Sequence, residues 1–306
     1  MKRLFALLCL CALLLPAATC GEEASAVYKK HSYPLDAEYI DLGNATVSKE
    51  DMDVFMAFLR QFPNLKKVDM FATRIGKARI EALHEAFPDI EFGMTMILGS
   101  EHLVRTDATA FSTLHGAPGT FEHGNDAFTI LKYCKNLRAL DLGHNLIDDL
   151  SFLYDLPKLR VLIIAKNQLT DITPVASLQD LEYLEIFGNN ITDISPLAGL
   201  PHLTDVNLTG NRIETLSPLL TLPALRRAWV CRHNKYAPVD HETVVRLREQ
   251  LPDALIDDFS EGTEGQWRTG SDHYAVIQRM FKNGGTEYEP FADVSFSEYA
   301  YPWPEE

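Results

Sequence analysis

The sequence predicts an α/β solenoid: a curved horseshoe with a parallel sheet on its concave face and short helices and turns on its convex face. Three observations lead there. An internal period of 22 residues runs through the middle of the chain without gaps. Inside each period, apolar residues alternate over a few positions, which is the side-chain pattern of a short strand. An Asn follows each of those strands at a constant offset.

The copies align directly. Leu137, Leu140, Leu142, Asn145 and Ile147 form the first, and Leu159, Leu162, Ile164, Asn167 and Leu169 the second. Leu181, Leu184, Ile186, Asn189 and Ile191 form the third, and Leu203, Val206, Leu208, Asn211 and Ile213 the fourth. A weaker fifth copy reads Leu225, Ala228, Val230 and His233. Apolar positions do not recur every 3.5 residues, so the pattern is not that of a coiled coil. One copy cannot bury its own apolar face, so successive copies must stack. Asn145, Asn167, Asn189 and Asn211 then form a ladder whose amides satisfy backbone groups of the turn and of the next coil. This Leu-x-x-Leu-x-Leu-x-x-Asn pattern resembles leucine-rich repeats, and the resemblance implies a leucine-rich-repeat solenoid. The second half of each copy recurs as Asp171-Ile172-Thr173-Pro174-Val175, Asp193-Ile194-Ser195-Pro196-Leu197 and Thr215-Leu216-Ser217-Pro218-Leu219. Pro at the start of a short helical turn, with Ser or Thr as its cap, resembles the convex side of internalin-type repeats in bacterial surface proteins and lipoproteins.

The flanks predict longer, irregular repeats over 36–135. Ile40–Leu42, Val68–Met70 and Ile90–Phe92 read as strands, and Phe111–Thr113 as a fourth. Ser48 and Asp51 form a capping box ahead of a helix that buries Met52, Phe55, Leu59 and Phe62. Ile80, Leu83 and Phe87 line the next helix, and residues 99–130 read as a loop excursion. Regular repeats span 136–235. A C-terminal cap over 236–286 begins with a helix capped by Asp240, continues into a last strand at Leu255 and Ile256, and uses Trp267, Tyr274, Ile277 and Phe281 to close the open end of the core. The acidic, aromatic stretch 287–306 is expected to be flexible.

The first residues suggest export. Lys2 and Arg3 precede an apolar run from Leu4 to Leu15, too short to span a bilayer, which needs about 20 residues. Small residues follow. Two cleavage points fit: Ala17-Ala18-Thr19-Cys20 resembles a bacterial lipobox, which would make Cys20 the lipidated first mature residue, and Ala24-Ser25-Ala26 suits ordinary secretion. The lipobox reading gives a signal peptide over 1–19, a polar linker over 20–35 and a membrane anchor at Cys20 on the cell surface.

A formal net charge of -15 repels nucleic acid and anionic headgroups. Cys134 and Cys231 sit four coils apart at about 4.8 Å per coil, beyond the ~7 Å reach of a disulfide, so both are expected as free thiols. His241-Glu242 begins like a zinc-protease helix but has Val245 where the second His belongs. No nucleophile elbow, phosphate loop or metal-ligand spacing occurs, so neither catalysis nor a cofactor is expected.

Outward strand positions on the concave sheet carry the functional expectation. Ile163, Tyr183, Glu185, Phe187, Asp205, Asn207, Arg227, Trp229 and Arg232 fall there, joined by Lys67, Asp69 and Phe71 from an earlier strand. Exposed aromatics beside Arg are the composition of an interaction hot spot. The expected function is therefore extracytoplasmic, non-catalytic recognition of a protein or cell-envelope glycan on this face. The alternative is a structural spacer or self-assembling envelope component.

Overall fold

A computed structural model of the chain describes residues 24–99, 102–113, 123–231, 240–264, 266–269, 271–282 and 286–291. Cys20 and Arg232 lie outside the described residues. Two compact units are present: residues up to Thr73 together with Ala78–Met94, and Arg74–Lys77 together with Thr95 onward.

The first unit opens with a hairpin, β1 (Ser25–Tyr28) and β2 (His31–Pro34), paired antiparallel. The sequence places this segment in a polar linker. Ala26 and Tyr28 are buried instead, because Tyr28 stacks against Phe55 and Phe58 of α1 (Met52–Leu59) at centroid distances of 5.2 Å. Its two turn residues, Lys29 and Lys30, both have positive φ (44° and 74°), the conformation of a type I′ turn. Next come β3 (Tyr39–Asp41), β4 (Lys67–Ile75), α2 (Lys77–Ala86) and the start of β5 (Glu91–Leu98), with β3 and β4 parallel. The Ser48–Asp51 capping box forms reciprocally, at 3.1 and 3.2 Å, and Phe55, Leu59, Ile80 and Leu83 fill the core.

In the second unit the end of β5 pairs antiparallel with β6 (His102–Arg105). The regular stack starts at β7 (Ala110–Ser112), which precedes α3 (Asn125–Phe128). It continues through β8 (Ala139–Asp141), β9 (Val161–Ile163), β10 (Tyr183–Glu185), β11 (Asp205–Asn207) and β12 (Arg227–Trp229). After α4 (His241–Gln250) it ends at β13 (Leu255–Asp257). The seven strands lie in sequence order in one sheet, and those of the regular repeats pair parallel with equivalent residues facing one another. The stack is thus wider than the regular repeats alone: β7 and β13 extend it at either side. The strand expected at Phe111–Thr113 forms as β7, and region 99–130, otherwise expected as an excursion, also contributes β6 and α3.

The Asn side chains sit inside the turns that leave the strands. Asn189 Oδ1 accepts from the backbone N–H of Asn167 (3.2 Å) and Leu169 (3.1 Å), while its amide donates to the carbonyls of Ile164 (3.0 Å) and Ile186 (2.9 Å). Asn167 and Asn211 hold the adjoining coils in the same manner, and Asn145 accepts from His123 N–H at 2.9 Å. The residue ahead of each Asn is left-handed: His144, Lys166, Gly188 and Gly210 have φ of 58°, 53°, 68° and 68°.

On the opposite side each coil carries one turn of 3-10 helix, as at Thr173–Ser177. The cap differs from expectation. The Asp two residues before the Ser or Thr accepts its N–H, at 2.7 Å for both Asp171–Thr173 and Asp193–Ser195, and also accepts from its hydroxyl. Ser and Thr are therefore the first residues of these turns, and Asp171 and Asp193, held by those hydrogen bonds, have carboxyls below the usual range. At α4 the Asp240 side chain accepts from Thr243 N–H, with Val244 and Leu247 buried.

Candidate functional site

In the second unit the outward strand positions are not open. Tyr183, Glu185, Asp205 and Asn207 are all 0% exposed, Trp229 and Ile163 1%, Arg227 3% and Phe187 6%. This corrects the expectation that they form a free inner wall. The cause is the chain's own C-terminal part, which lies on the strand face instead of closing the end of the core. The described residues between Ser260 and Phe291, termed the strap, comprise an irregular stretch, α5 (Asp272–Phe281) and a final extended piece.

Helix α5 starts at Ser271, whose hydroxyl accepts from Tyr274 N–H. Its spacing puts Val276, Ile277, Met280 and Phe281 on one side, where they join Ala110, Ala139, Val161, Ile163 and Tyr183 in one apolar cluster. Fully burying such side chains stabilises by about 1.5–3 kcal/mol each. Trp267 is fully buried between Tyr183 and Trp229, with ring centroids at 5.5 and 5.1 Å. Beyond α5, the Thr286 carbonyl accepts from Thr109 N–H (2.9 Å) and Ala110 N–H (3.0 Å) at the edge of β7. Thr109 serves Arg138 and Ala139 in the same way one coil on, and Arg138 serves Arg160 and Val161 on the coil after that, so Thr286 stands where a preceding coil would stand. The flexible tail expected from 287 onward is ordered in its first part: Phe291 is buried, stacked on His273 at 4.3 Å, and 292–306 lie outside the described residues.

Polar groups of the strand face are matched one by one. The Glu185 carboxylate accepts from the Trp267 indole (2.7 Å), the Arg268 guanidinium (2.5 Å) and the Tyr183 hydroxyl. Asp205 pairs with Arg227 (2.9 Å) in the neighbouring strand and with His273 Nδ1 (2.7 Å) from α5. Arg227 also donates to the Trp267 carbonyl (2.6 Å) and Ser271 Oγ (2.5 Å). Asn207 donates to the Gly262 carbonyl (2.6 Å), and the Trp229 indole to that of Glu264 (3.0 Å). Burial of ions this deep is tolerable only with such complete pairing. Asp141 has no cation of its own within hydrogen-bond reach among the described residues; it accepts from Gly143 N–H (3.1 Å) and Ser112 Oγ (3.4 Å), and burial pushes its carboxyl up to about 7.

Beside the irregular part of the strap, a cavity of about 880 Å³ opens between the left-handed turns and residues 261–264; Lys166, Arg212 and Arg268 border it with Glu261 and Glu264. Cys134 is buried and Cys231 half-buried, both free thiols, and burial pushes the Cys134 thiol up to about 12. Among the described residues, no group of three or more His, Cys, Asp or Glu is placed to hold a metal ion, and no helix is long and apolar enough to cross a membrane.

In the first unit, by contrast, the outward strand side chains are only partly covered: Tyr39 is exposed, and Lys67, Asp69 and Phe71 are half-buried. Tyr39 is 51% exposed and donates to Asp69 at 2.9 Å. Lys67 lies 3.3 Å from Glu91 and 3.6 Å from Asp69. Phe71 lies across Gly93: a Cβ there would sit 2.6 Å from the Phe71 ring and 2.2 Å from Asp69 Oδ1, so a larger residue would have to displace the ends of those two side chains.

Comparison with known proteins finds the repeat in the sequence. The family model for leucine-rich repeats (two copies) matches residues 135–177 and 179–221. No curated protein matches the sequence. Similar solved structures include an internalin from Listeria monocytogenes, 24% identical over 43% of this chain and 44% of that one, with a TM-score of 0.32. Internalin C2 of the same organism is 22% identical over 64% of this chain and 83% of its own, with a TM-score of 0.29. A leucine-rich-repeat protein of Leptospira interrogans is 22% identical over 72% of this chain and 54% of its own, with a TM-score of 0.41. The chain spans less than half the length of the first of these internalins. The coils over residues 135–177 and 179–221 are therefore leucine-rich repeats.

Proposed function

We propose that the protein is a non-catalytic protein-binding module, exported across the cytoplasmic membrane and held at the cell surface by a lipid on Cys20, and that its partner docks on the strand face of the first unit. Leucine-rich repeats suit this role because a row of short parallel strands presents a broad surface of side chains at fixed spacing. One observation carries the choice of face: Tyr39 is half exposed beside Lys67, Asp69 and Phe71, whereas the described outward positions of β10–β12 are sealed. An aromatic set among both signs of charge is a hot-spot composition. The non-catalytic reading is supported by Glu185, Asp205 and His273, the acid and base groups that come together: all are buried and engaged with one another's partners or with Arg227 and Arg268.

Photo-crosslinking tests the docking face. A photoreactive residue at position 39 is expected to trap a discrete envelope partner, and one at position 183 to give only intramolecular adducts. Trapping at neither position, or only at 183, overturns the assignment. Mass spectrometry of the mature N-terminus tests export and anchoring: a diacylglyceryl-modified Cys20 is expected, and an unmodified chain starting at Val27 removes the anchor.

A further inference from the structure

The strap reads as a ligand seated on a surface built to receive a peptide. Side-chain donors from β11 and β12 take successive backbone carbonyls of its irregular stretch: Asn207 binds Gly262, Trp229 binds Glu264, and Arg227 binds Trp267. Such contacts hold a main chain without regard to its sequence, as peptide-recognition grooves do. Side chains are read as well, among them the Ser271 hydroxyl, which accepts from Arg227. The Trp267 indole drops between Tyr183 and Trp229, and Glu185 collects both its N–H and the Arg268 guanidinium. Glu185 is the reason this face needs an occupant. A carboxylate sealed there without donors costs several kcal/mol, and among the described residues of the sheet only the Tyr183 hydroxyl reaches it.

The irregular stretch is also the part of the strap able to leave. Its described residues form neither helix nor strand, and its own backbone closes short turns, Glu264 to Glu261, Trp267 to Glu264 and Ser271 to Arg268. Segments with so little internal structure open at lower free energy than packed helices. Helix α5, in contrast, is tied down by its apolar side. The 880 Å³ cavity adjoins this same stretch and gives an incoming chain a place to enter.

We propose that the strand face of β10–β12 is a recognition groove for a peptide presenting an indole next to a guanidinium, and that Ser260–Ser271 is its resident occupant in cis. The inference rests on the reading of the chain as a binding module but uses a different face. The occupant competes with any outside peptide, so apparent affinity falls by the fraction of time the groove is empty. Weakening the occupant must therefore strengthen binding in trans.

The test uses the full-length protein and a synthetic peptide with the sequence of residues 258–272, followed by fluorescence anisotropy. The double variant W267A/R268A is expected to bind this peptide at least tenfold more tightly than the wild type does. A peptide with Ala in place of its Trp and Arg is expected not to bind, and adding E185Q to the double variant is expected to cost it at least tenfold. If W267A/R268A loses its native circular dichroism, Arg268→Lys, which keeps the charge but not the fork, carries the same comparison with a smaller gain. A folded variant that binds the Trp-Arg peptide no better than the Ala control overturns the proposal. Crosslinking at position 39 is independent of this outcome, so failure of either reading is seen separately.

Discussion

Replacing Trp267 with Ala probes the contact that holds the strap to the sheet. The side chain is fully buried and has two aromatic neighbours and one carboxylate partner. Truncating a buried Trp costs about 3–5 kcal/mol through lost transfer energy and the cavity left behind. Losing a hydrogen bond to a charged group adds about 1.5–3 kcal/mol. The two losses share one site and do not simply add, so about 5 kcal/mol is the expected penalty, a large part of the ~5–15 kcal/mol that stabilises a typical domain. The irregular stretch should then detach instead of keeping a void. Trp267→Phe keeps most of the ring and loses only the N–H, so it should cost about 2 kcal/mol. Urea denaturation followed by circular dichroism measures both. In a Trp303→Phe background, Trp229 is the remaining indole of W267A, and its emission should move to the red as the strap leaves. A loss below about 1 kcal/mol with unshifted Trp229 emission would refute the packing argument.

Other perturbations follow from the same geometry. Asn189→Ala strands two buried backbone N–H groups, those of Asn167 and Leu169, while the Ile164 and Ile186 carbonyls keep Asn167 and Asn211 as donors; at about 1–3 kcal/mol per orphaned group, urea midpoints should report a loss of roughly 3 kcal/mol. Asp141→Asn should flatten part of the pH dependence of stability. The folded carboxyl, raised by burial to about 7, holds its proton more tightly than the unfolded one, so its contribution is complete below pH ~4 and lost as pH climbs to about 7. The variant should therefore gain on the wild type across that window, by up to about 4 kcal/mol, and an unchanged difference between pH 4 and 8 would contradict the burial argument. Lys30→Gly removes a side chain from a left-handed turn position (φ 74°) and should raise the thermal midpoint by an amount matching about 1 kcal/mol; no gain would show the turn to be unstrained.

What the sequence made legible and what it hid have physical causes. Strand positions and the Asn ladder follow from a period, and a period is visible without knowing any contact: β8 to β12 start at Ala139, Val161, Tyr183, Asp205 and Arg227, spaced as the sequence spaces them. The 22-residue column His144, Lys166, Gly188 and Gly210 was equally visible, but only its two glycines hint at a left-handed turn. The occupancy of the strand face was not legible. An outward strand position tells which side a residue faces, not what else covers that side. Two signals did point to it. Glu185 and Asp205 fall among Tyr183, Phe187 and Trp229, an uneasy mixture for open solvent, and the C-terminal segment supplies the matching Trp267, Arg268 and His273. The hairpin at 25–34 escaped because Lys29-Lys30 lacks the Asn or Gly that marks such turns. Strong packing of Tyr28 on Phe55 and Phe58 overrides that local preference.

The claim on which most of this depends is that the strap covers the strand face of the repeats. Hydroxyl-radical footprinting read by mass spectrometry measures that cover residue by residue on the untouched protein. Tyr154 and Phe259, 58% and 75% exposed, should be labelled readily, while Tyr183, Trp229 and Trp267 should resist labelling until the protein unfolds. Labelling of Tyr183 and Trp229 at the rate of Tyr154 under native conditions would mean that the face stands open and that the strap does not cover it.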